Sequence, residues 1–253
     1  MTLPIITVIT VCYNTLTKIE KTIQSVINQS YPNIEYIIID GGSNDGTTDI
    51  IRKYQDKVSY WTSEPDNGIY DAMNKGILKS SGEWIIFMNC GDYFYNNDVL
   101  NVIFNGKIYD EDIIYGNSTS YSQDGTINFF ISGENIHDLE NGPIYRHGAS
   151  FVRGIIHKEF LFDLSKTPQI KYTLDFDVIF RLYKAGKKFR RIDKFVLNYE
   201  KEGISNNPIL NRIYIYKITS DYRFSYVKFK YMLKSIYNIK KRALKNKIKS
   251  FIK

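Results

Sequence analysis

Short apolar runs alternate with helical patterns four times in the first hundred residues, and this alternation constrains the fold more than any other feature of the sequence. The four runs lie at 5–11, 34–40, 58–63 and 83–89 and are rich in Ile, Val and aromatic residues. Runs of this length bounded by turn residues predict strands, and intervening helical segments predict crossover connections. The sequence therefore predicts an α/β fold with a mostly parallel, twisted sheet flanked by helices.

The segments between these runs carry helix signals. Asn14 and Thr15 are typical helix caps, so we expect them to start the helix after the first strand. Ile69, Met73 and Ile77 share one face of a later helix. The second half is less regular, with strands predicted at 112–116, 126–131 and 144–153 and a helix at 175–186.

Polar residues follow three of the predicted strands, at 13–14, 40–43 and 89–92. Ligands of parallel α/β sheets bind beyond the carboxyl ends of the strands, so we expect these residues to line one crevice. The loop after the first strand reads Cys-Tyr-Asn and is not Gly-rich, and the chain has no P-loop motif. The sequence therefore disfavours dinucleotide-dependent hydride transfer and P-loop chemistry.

Charge is unevenly distributed. Residues 222–253 carry 11 Lys and Arg and no acid, so the net charge of +7 leaves −4 on the remaining residues. Apolar residues of this tail recur at helical spacing, at Met232, Leu233, Ile236, Tyr237, Leu244 and Ile248. The pattern predicts a basic amphipathic helix suited to an anionic membrane surface. The alternatives are a basic helix packed on the core and a nucleic-acid patch, and the acidic balance elsewhere argues against nucleic acid.

The two cysteines, Cys12 and Cys90, cannot form a disulfide framework and lack metal-ligand spacing. The first residues show no signal-peptide pattern, and no apolar run approaches the roughly 20 residues that span a bilayer. We therefore expect a cytoplasmic protein that is peripheral on the inner face of the cell membrane.

The strand-end segments also match a known family in order and spacing, at 10–14, 40–47, 64–68, 74–76 and 89–92. Together they resemble the inverting family 2 glycosyltransferases of the GT-A fold, over residues 4–200. The stretch DNGIYDAMNKG at 66–76 looks most like bacterial enzymes that build capsule, exopolysaccharide or lipopolysaccharide O-antigen chains.

The resemblance implies a GT-A domain over residues 1–221, followed by the basic helical tail at 222–253. Residues 1–117 would bind the nucleotide sugar and 118–221 the acceptor. It also implies transfer of a hexosyl or N-acetylhexosaminyl group from a nucleotide diphosphate sugar, expected to be UDP-linked. The acceptor would be a hydroxyl of a lipid-linked or growing surface glycan.

Such a transfer needs a group that neutralises the leaving diphosphate, for which Mg²⁺ or Mn²⁺ with oxygen ligands is suited. It also needs a carboxylate that removes a proton from the acceptor hydroxyl. By resemblance Asp92 is the metal ligand, although Asn89-Cys90-Gly91-Asp92 keeps only the last carboxylate of the usual acidic motif. The alternative for Asp92 is a turn residue after Gly91.

Contacts to the nucleotide sugar are implied for a set of strand-end residues, namely Thr10, Val11, Tyr13, Asn14, Asp40, Ser43, Asp66, Asn74, Lys75 and Gly91. Asp40 would accept a hydrogen bond from the nucleotide base, or alternatively cap the turn over Gly41 and Gly42. Asp66 would bind the nucleoside, or alternatively cap the helix that follows it.

The acceptor-binding half offers a base and a histidine. The family places its base just before a helix, and Leu174-Asp175-Phe176-Asp177 matches that element. Asp175 is the expected base, with Asp177 and simple helix capping as alternatives. His147 is expected to ligate the metal or contact the diphosphate, or else to be structural. Residues 202–205 resemble a late loop near the donor phosphates.

Two other functions remain as alternatives. A sugar-phosphate nucleotidyltransferase has a similar core, but it needs Gly, Arg and Lys near the first strand, and residues 10–18 supply only Lys18. A non-catalytic module that binds membrane or nucleic acid through its tail is disfavoured by the joint presence of Asp40, Asp92 and Asp175.

Overall fold

The computed structural model describes the backbone of residues 3–121, 125–200 and 207–251, and the side chains of these residues except Glu200 and 246–251. Their strands are β1 (Ile6–Cys12), β2 (Ile34–Asp40), β3 (Tyr60–Ser63), β4 (Trp84–Phe87), β5 (Tyr93–Phe94), β6 (Ile113–Tyr121), β7 (Ile127–Phe130), β8 (Ser150–Arg153) and β9 (Phe189–Glu200). Their α-helices are α1 (Ile19–Ile27), α2 (Thr47–Lys53), α3 (Ile69–Lys79), α4 (Val99–Phe104), α5 (Gly154–Glu159), α6 (Thr167–Ile170), α7 (Leu174–Lys184), α8 (Pro208–Thr219) and α9 (Tyr226–Phe251).

The strands form one sheet in the order β3-β2-β1-β4-β8-β6-β9-β5, with β7 added to β6. β1 is parallel to β2 and β4, and β2 is parallel to β3, so these four strands end at one edge of the sheet. β8 runs antiparallel between β4 and β6, and β6 is parallel to β9. The α/β fold expected from the alternating runs is confirmed, and the strand-end residues predicted to line a crevice follow strands of its parallel half.

Two apolar layers cover the two faces of the sheet, and β1 contributes to both. Ile6 and Val8 pack with the helix residues of α1 and α4, whereas Ile9 and Val11 pack with those of α3 and α7. Burial on both faces explains why β1 reads as an uninterrupted apolar run and not as an alternating one.

The start of α1 differs from the prediction. The helix begins at Ile19, and neither Asn14 nor Thr15 caps it with a side chain. Asn14 has a φ of +50°, and its side-chain oxygen accepts a hydrogen bond of 3.0 Å from the backbone N–H of Asn44. The capping prediction was wrong because this side chain bonds across to the loop after β2.

The predicted face of α3 also needs correction. Met73 and Ile77 are buried, but Ile69 is exposed, and Tyr70 takes its place in the core. In the second half the predicted strands at 112–116 and 126–131 correspond to β6 and β7. The run at 144–153 is a strand only at β8, because a 3₁₀ turn at His147–Ala149 precedes it.

The tail forms α9, and its predicted apolar stripe divides between two faces. Met232 is buried, while Leu233, Tyr237 and Leu244 are 50%, 63% and 60% exposed. Lys228 anchors the start of the helix by a 2.6 Å bond to Glu140. Among the described residues, the helices are all too short or too polar to cross a lipid bilayer.

Candidate functional site

Asp40 is the last residue of β2 and is completely buried. One carboxylate oxygen accepts bonds from Ser43 Oγ (2.5 Å) and Cys12 Sγ (3.3 Å). The other accepts from Ser63 Oγ (2.6 Å) and the backbone N–H groups of Gly42 and Ser43 (3.2 and 2.8 Å). Asp40 therefore holds the turn after β2, as the capping alternative expected, and binding a nucleotide base would require one of these donors to move.

The loops after β1 and β2 are joined by reciprocal bonds. The N–H of Asn14 donates to Ser43 Oγ (2.8 Å), and the N–H of Asn44 donates to the side chain of Asn14 (3.0 Å). The same Ser43 hydroxyl donates to Asp40. Asn14, Ser43 and Asp40 thus form one connected network at the predicted nucleotide edge.

Gly41 marks a close approach between two strand-end loops. A Cβ atom at this position would lie 2.6 Å from Asp66 Oδ2 and 3.4 Å from the ring of Tyr13. Asp66 is held there because its other oxygen accepts a 2.7 Å bond from the N–H of Gly68, just before α3. The Tyr13 ring is 62% exposed, so it offers a flat apolar surface beside the Asp66 carboxylate.

The loop after β4 brings Asp92 to the same edge. Gly91 has a φ of +99°, which favours glycine, and its N–H donates to Thr22 Oγ1 (3.0 Å). The Thr22 hydroxyl in turn donates to the carbonyl of Asp92 (2.8 Å), so a side chain of α1 holds this turn in place.

Asn89 belongs to the strand-end stretch 89–92, but the sequence assigned it no role of its own. Its side-chain oxygen is buried and has no hydrogen-bond partner among the described residues. Three residues later stands Asp92, so an amide oxygen and a carboxylate flank the turn. These are ligand types that Mg²⁺ and Mn²⁺ accept, and a diphosphate and water would have to complete the shell. Within the described part of the chain, no group of three or more His, Cys, Asp or Glu side chains could hold a metal.

His147 lies between aromatic rings. Its ring centroid is 5.2 Å from that of Phe87 and 5.6 Å from that of Phe162, and His157 packs nearby at 6.5 Å. Burial lowers the pKa of His147 to about 3, with His157 adding to the effect. The imidazole is therefore neutral near pH 7, which a metal ligand requires, although packing alone also accounts for its position.

Asp175 and Asp177, the two candidate bases, have different surroundings. Asp177 is buried and bonded to Lys166 Nζ (2.8 Å) and Arg181 Nε (2.9 Å), so its charge is neutralised within the fold. Asp175 makes no such pair among the described side chains. Burial raises the pKa of Asp175 to about 6, against opposing effects of the Phe176 N–H, Arg146 and the Tyr70 hydroxyl. A carboxyl that titrates near neutral pH is suited to accept a proton.

The first turn of α3 connects the two ends of the crevice. On one side the Asp66 carboxylate lies against Gly41 and accepts a bond from the Gly68 N–H, just before α3. On the other side Tyr70, in the first turn of α3, lies against Asp175. Asp175 is thereby linked through α3 to the loop that carries Asp66, although the two residues are far apart in the sequence.

Four of the expected donor contacts are not supported by side-chain position. The Thr10 hydroxyl is buried and bonds Met88 O (2.8 Å), and Val11 lies in the core. Asn74 is clamped to the backbone of Phe162 by two 2.9 Å bonds. Lys75 pairs with Glu64 at 3.1 Å, a hydrogen bond that raises the pKa of Lys75. Residues 202–205 lie outside the described residues.

A cavity of about 400 Å³ lies elsewhere in the described structure. It is lined by His137, Tyr183, Lys184 and Phe189, at the far end of α7 from Asp175. None of the candidate residues contributes to it, so the strand-end crevice remains the candidate site.

Comparison with known proteins identifies the family to which this architecture belongs. The model of the family described as glycosyl transferase family 2 matches residues 7–171. An uncharacterized glycosyltransferase of Mycobacterium tuberculosis is 42% identical over 98 residues, which are 38% of this chain and 37% of that protein. The putative teichuronic acid biosynthesis glycosyltransferase TuaG of Bacillus subtilis is 36% identical over 92 residues, 35% of this chain and 36% of that protein. These alignments thus span little more than a third of either relative.

Solved structures share the fold at low sequence identity. S. aureus TarS 1-349 in complex with UDP-GlcNAc aligns with a TM-score of 0.68 and 16% identity, over 92% of this chain and 71% of that one. The mannosyltransferase PcManGT from Pyrobaculum calidifontis, in complex with GDP-Man and Mn²⁺, aligns with a TM-score of 0.60 and 16% identity, over 92% of this chain and 69% of that one. The fold is therefore of the GT-A type.

Proposed function

This chain belongs to glycosyl transferase family 2, and from that membership we propose that it transfers a sugar from a nucleotide diphosphate sugar to an acceptor hydroxyl with inversion. UDP is the proposed nucleotide, because the TarS structure that shares this fold binds UDP-GlcNAc. The proposed acceptor is a lipid-linked or growing surface glycan, since TuaG is assigned to teichuronic acid biosynthesis.

The position of Asp175 carries this proposal. Its carboxyl, with a pKa of about 6, lies against Tyr70 in the first turn of α3, and Asp66, which lies against Gly41 at the expected nucleotide edge, is bonded to the Gly68 N–H just before the same turn. One group that accepts a proton beside one nucleotide site is what a single displacement requires. A transfer with retention through a covalent sugar would need a nucleophile in addition.

In the proposed reaction the acceptor oxygen attacks the anomeric carbon while the bond from that carbon to the diphosphate oxygen breaks. The proton of the acceptor hydroxyl passes to a carboxylate oxygen of Asp175. At the other end of the crevice, Tyr13 would pack against the base, and Asp66 would bind the ribose or base. Asn14 and Ser43 would shape the pocket, because the Asn14 N–H donates to Ser43 Oγ and that hydroxyl donates to Asp40.

A divalent cation, Mg²⁺ or Mn²⁺, is part of the proposal. Asp92 would hold it, and the unpartnered buried oxygen of Asn89 fits as a neighbouring ligand or as a water acceptor. When bound, the ion would neutralise negative charge on the leaving diphosphate. The helix dipole at the start of α3 favours the same anion. His147 is neutral and oriented by Phe87, and it is a second candidate ligand or diphosphate contact.

The exposed face of α9 supports a peripheral membrane location on the inner face of the cell membrane. An apolar stripe of Tyr226, Leu233, Tyr237 and Leu244 points to solvent. Exposed cations flank it, at Lys230, Lys234, Lys240 and Lys241. We propose that this face binds anionic lipid and so brings the site to a lipid-linked acceptor.

Paired substitutions on α7 test the proposed reaction. Asp175→Asn should lower sugar transfer by about 10²–10⁴-fold and leave UDP affinity nearly unchanged, because only the proton acceptor is lost. Asp177→Asn is the matched control, since it leaves Lys166 and Arg181 without their buried partner and should destabilise the fold by about 3 kcal/mol. Transfer from UDP-sugars and UDP binding by calorimetry would be measured below the unfolding temperature of both variants.

Full transfer by Asp175→Asn would exclude Asp175 as the base. Loss of transfer by folded Asp177→Asn, with Asp175→Asn active, would assign the role to Asp177.

A further inference from the structure

Arg146 is held in a fixed orientation by two aromatic residues. Its guanidinium carbon lies 4.6 Å from the ring centroid of Tyr199 and 5.3 Å from that of Phe130. Its Nη2 donates a 2.7 Å hydrogen bond to the Tyr199 hydroxyl. Among the described side chains, no carboxylate lies at ion-pair distance from this exposed guanidinium. Within the described part of the chain its remaining N–H groups have no carboxylate partner, and they can donate to an anion from outside the protein.

The location of Arg146 associates it with the acceptor side of the crevice. Phe130 is on β7 and Tyr199 on β9, and both strands pair with the far end of β6, at Ser118 and Ser120. Among the described residues, Arg146 makes no hydrogen bond or ion pair with the loops that carry Asp40, Asp66 and Asp92. Its charge does reach Asp175, because Arg146 lowers the pKa of that carboxyl.

We propose that Arg146, held by Phe130 and Tyr199, binds a phosphate group of the acceptor and so presents the acceptor hydroxyl to Asp175. The inference rests on the proposed function, because it assigns the substrate class of the same site. An arginine suits this role because its planar fork binds two phosphate oxygens at once, and stacking on rings reduces the entropy lost when it binds. The acceptor class that follows is a phosphorylated one, such as a glycan attached through a phosphate or diphosphate.

Arg153 provides a matched control. It lies at the end of β8, beside the first residue of β4, and so at the end of β4 opposite to the strand-end loops. Its guanidinium also stacks on an aromatic ring, at 4.5 Å from that of Trp84, but it is paired with Glu83 at 2.7 Å. Replacing it removes a comparable cation–π contact without touching the crevice. A stacked arginine that is only structural should behave like this control.

The test titrates glucose 1-phosphate into the full chain saturated with UDP, followed by calorimetry, for wild type and for Arg146→Gln, Arg146→Lys and Arg153→Gln. We expect binding about tenfold or more weaker in Arg146→Gln, intermediate in Arg146→Lys and unchanged in Arg153→Gln. UDP affinity, measured separately, should be the same in all four proteins. Methyl glucoside, which lacks the phosphate, should not distinguish them.

Equal binding of glucose 1-phosphate by wild type and Arg146→Gln overturns the inference, as does an absence of binding to wild type. A parallel loss of UDP affinity in Arg146→Gln also overturns it, because the phosphate would then be the donor's. If UDP does not bind at all, the proposed function fails, and the titration without UDP still decides the role of Arg146.

Discussion

Asp175 and Asp177, in the first turn of α7, show that the surroundings of a carboxylate decide whether its charge is neutralised by a partner. Asp177 is buried between Lys166 and Arg181, and its charge is part of the fold. Asp175 is two residues away and lacks such a partner, so its ionised form is disfavoured. Their spacing was visible in the sequence, but their partners were not, because Lys166 and Tyr70 reach α7 from distant parts of the chain. The sequence could propose Asp175 as base without excluding Asp177.

A pH-dependent stability follows for Asp175. Its pKa is raised to about 6 in the folded protein, so ionisation of this carboxyl lowers the free energy of unfolding. This destabilisation is absent below about pH 4, grows as the pH rises, and is complete above pH 6. Asp175→Asn should therefore raise the free energy of unfolding by about 1–3 kcal/mol at pH 7.5 and by much less at pH 3.5. Urea unfolding at both pH values measures this.

Asp56→Asn, which removes an exposed carboxylate, provides the control for the loss of one surface charge. A stability gain of Asp175→Asn that is equal at both pH values would contradict the raised pKa.

At the scale of elements, the sequence predicted the strands and helices whose apolar patterns were continuous. The positions of β1, β2 and α7 agree with prediction to within two residues, because burial leaves a continuous apolar run in the two strands and a helical period in α7. The twelve-residue β9 was missed, since Arg190, Arg191, Asp193 and Lys194 interrupt its apolar pattern. Its place in the sheet depends on pairing with β6 across a register shift, which no local pattern records.

The loops at the strand ends were predicted as a group, but their internal bonds were not. That Asn14 bonds to Asn44, and that Asn89 keeps an unpartnered oxygen, depends on contacts between segments far apart in the sequence. The turn residues gave the location of the crevice, whereas tertiary packing decided which side chains line it.

The approach of Asp66 to Gly41 gives a prediction at this scale. Gly41→Ala would place a methyl group 2.6 Å from Asp66 Oδ2, so the carboxylate must leave its bond with the Gly68 N–H or the two loops must separate. We expect UDP affinity to fall about tenfold with little loss of stability, since the displaced Asp66 carboxylate would lose its proposed charge-assisted hydrogen bond to the nucleoside.

The same substitution in an Asp66→Ala background should cost far less, because the clash is then absent. Calorimetric titration of UDP into the four proteins completes the cycle. Additive effects of the two substitutions would show that the clash does not act through Asp66.

At the scale of the whole molecule, the positive charge is concentrated on one helix. Residues 1–221 together carry a net charge of −4, while α9 presents Lys side chains beside an exposed apolar stripe. The predicted amphipathic stripe was wrong in one respect. Met232 packs inward while Leu233, Tyr237 and Leu244 face solvent, because one side of α9 lies on α8. The outward face is what remains for a membrane.

Removing two apolar residues of this face should weaken membrane binding. Leu233→Ser with Tyr237→Ser should reduce sedimentation with phosphatidylcholine–phosphatidylglycerol vesicles by about tenfold or more, since two side chains no longer leave water. Ile127→Ser with Phe129→Ser is the matched control, because these residues are equally exposed on β7. Added salt should weaken wild-type binding as it screens the lysines. Unchanged sedimentation of the α9 variant would remove the support for a membrane role.

The first turn of α3 links the expected nucleotide edge to the candidate base. Asp66 is bonded to the Gly68 N–H at its start, and Tyr70 within it lies against Asp175. If a nucleotide binds at one end, thermodynamic linkage makes the change it causes in the proton affinity of Asp175 equal to the change that protonation causes in nucleotide affinity. Donor binding would then take up or release a fraction of a proton, and the affinity for the donor would follow the pH of the medium. A single helical turn would in this way let acidity regulate substrate capture as well as the chemical step.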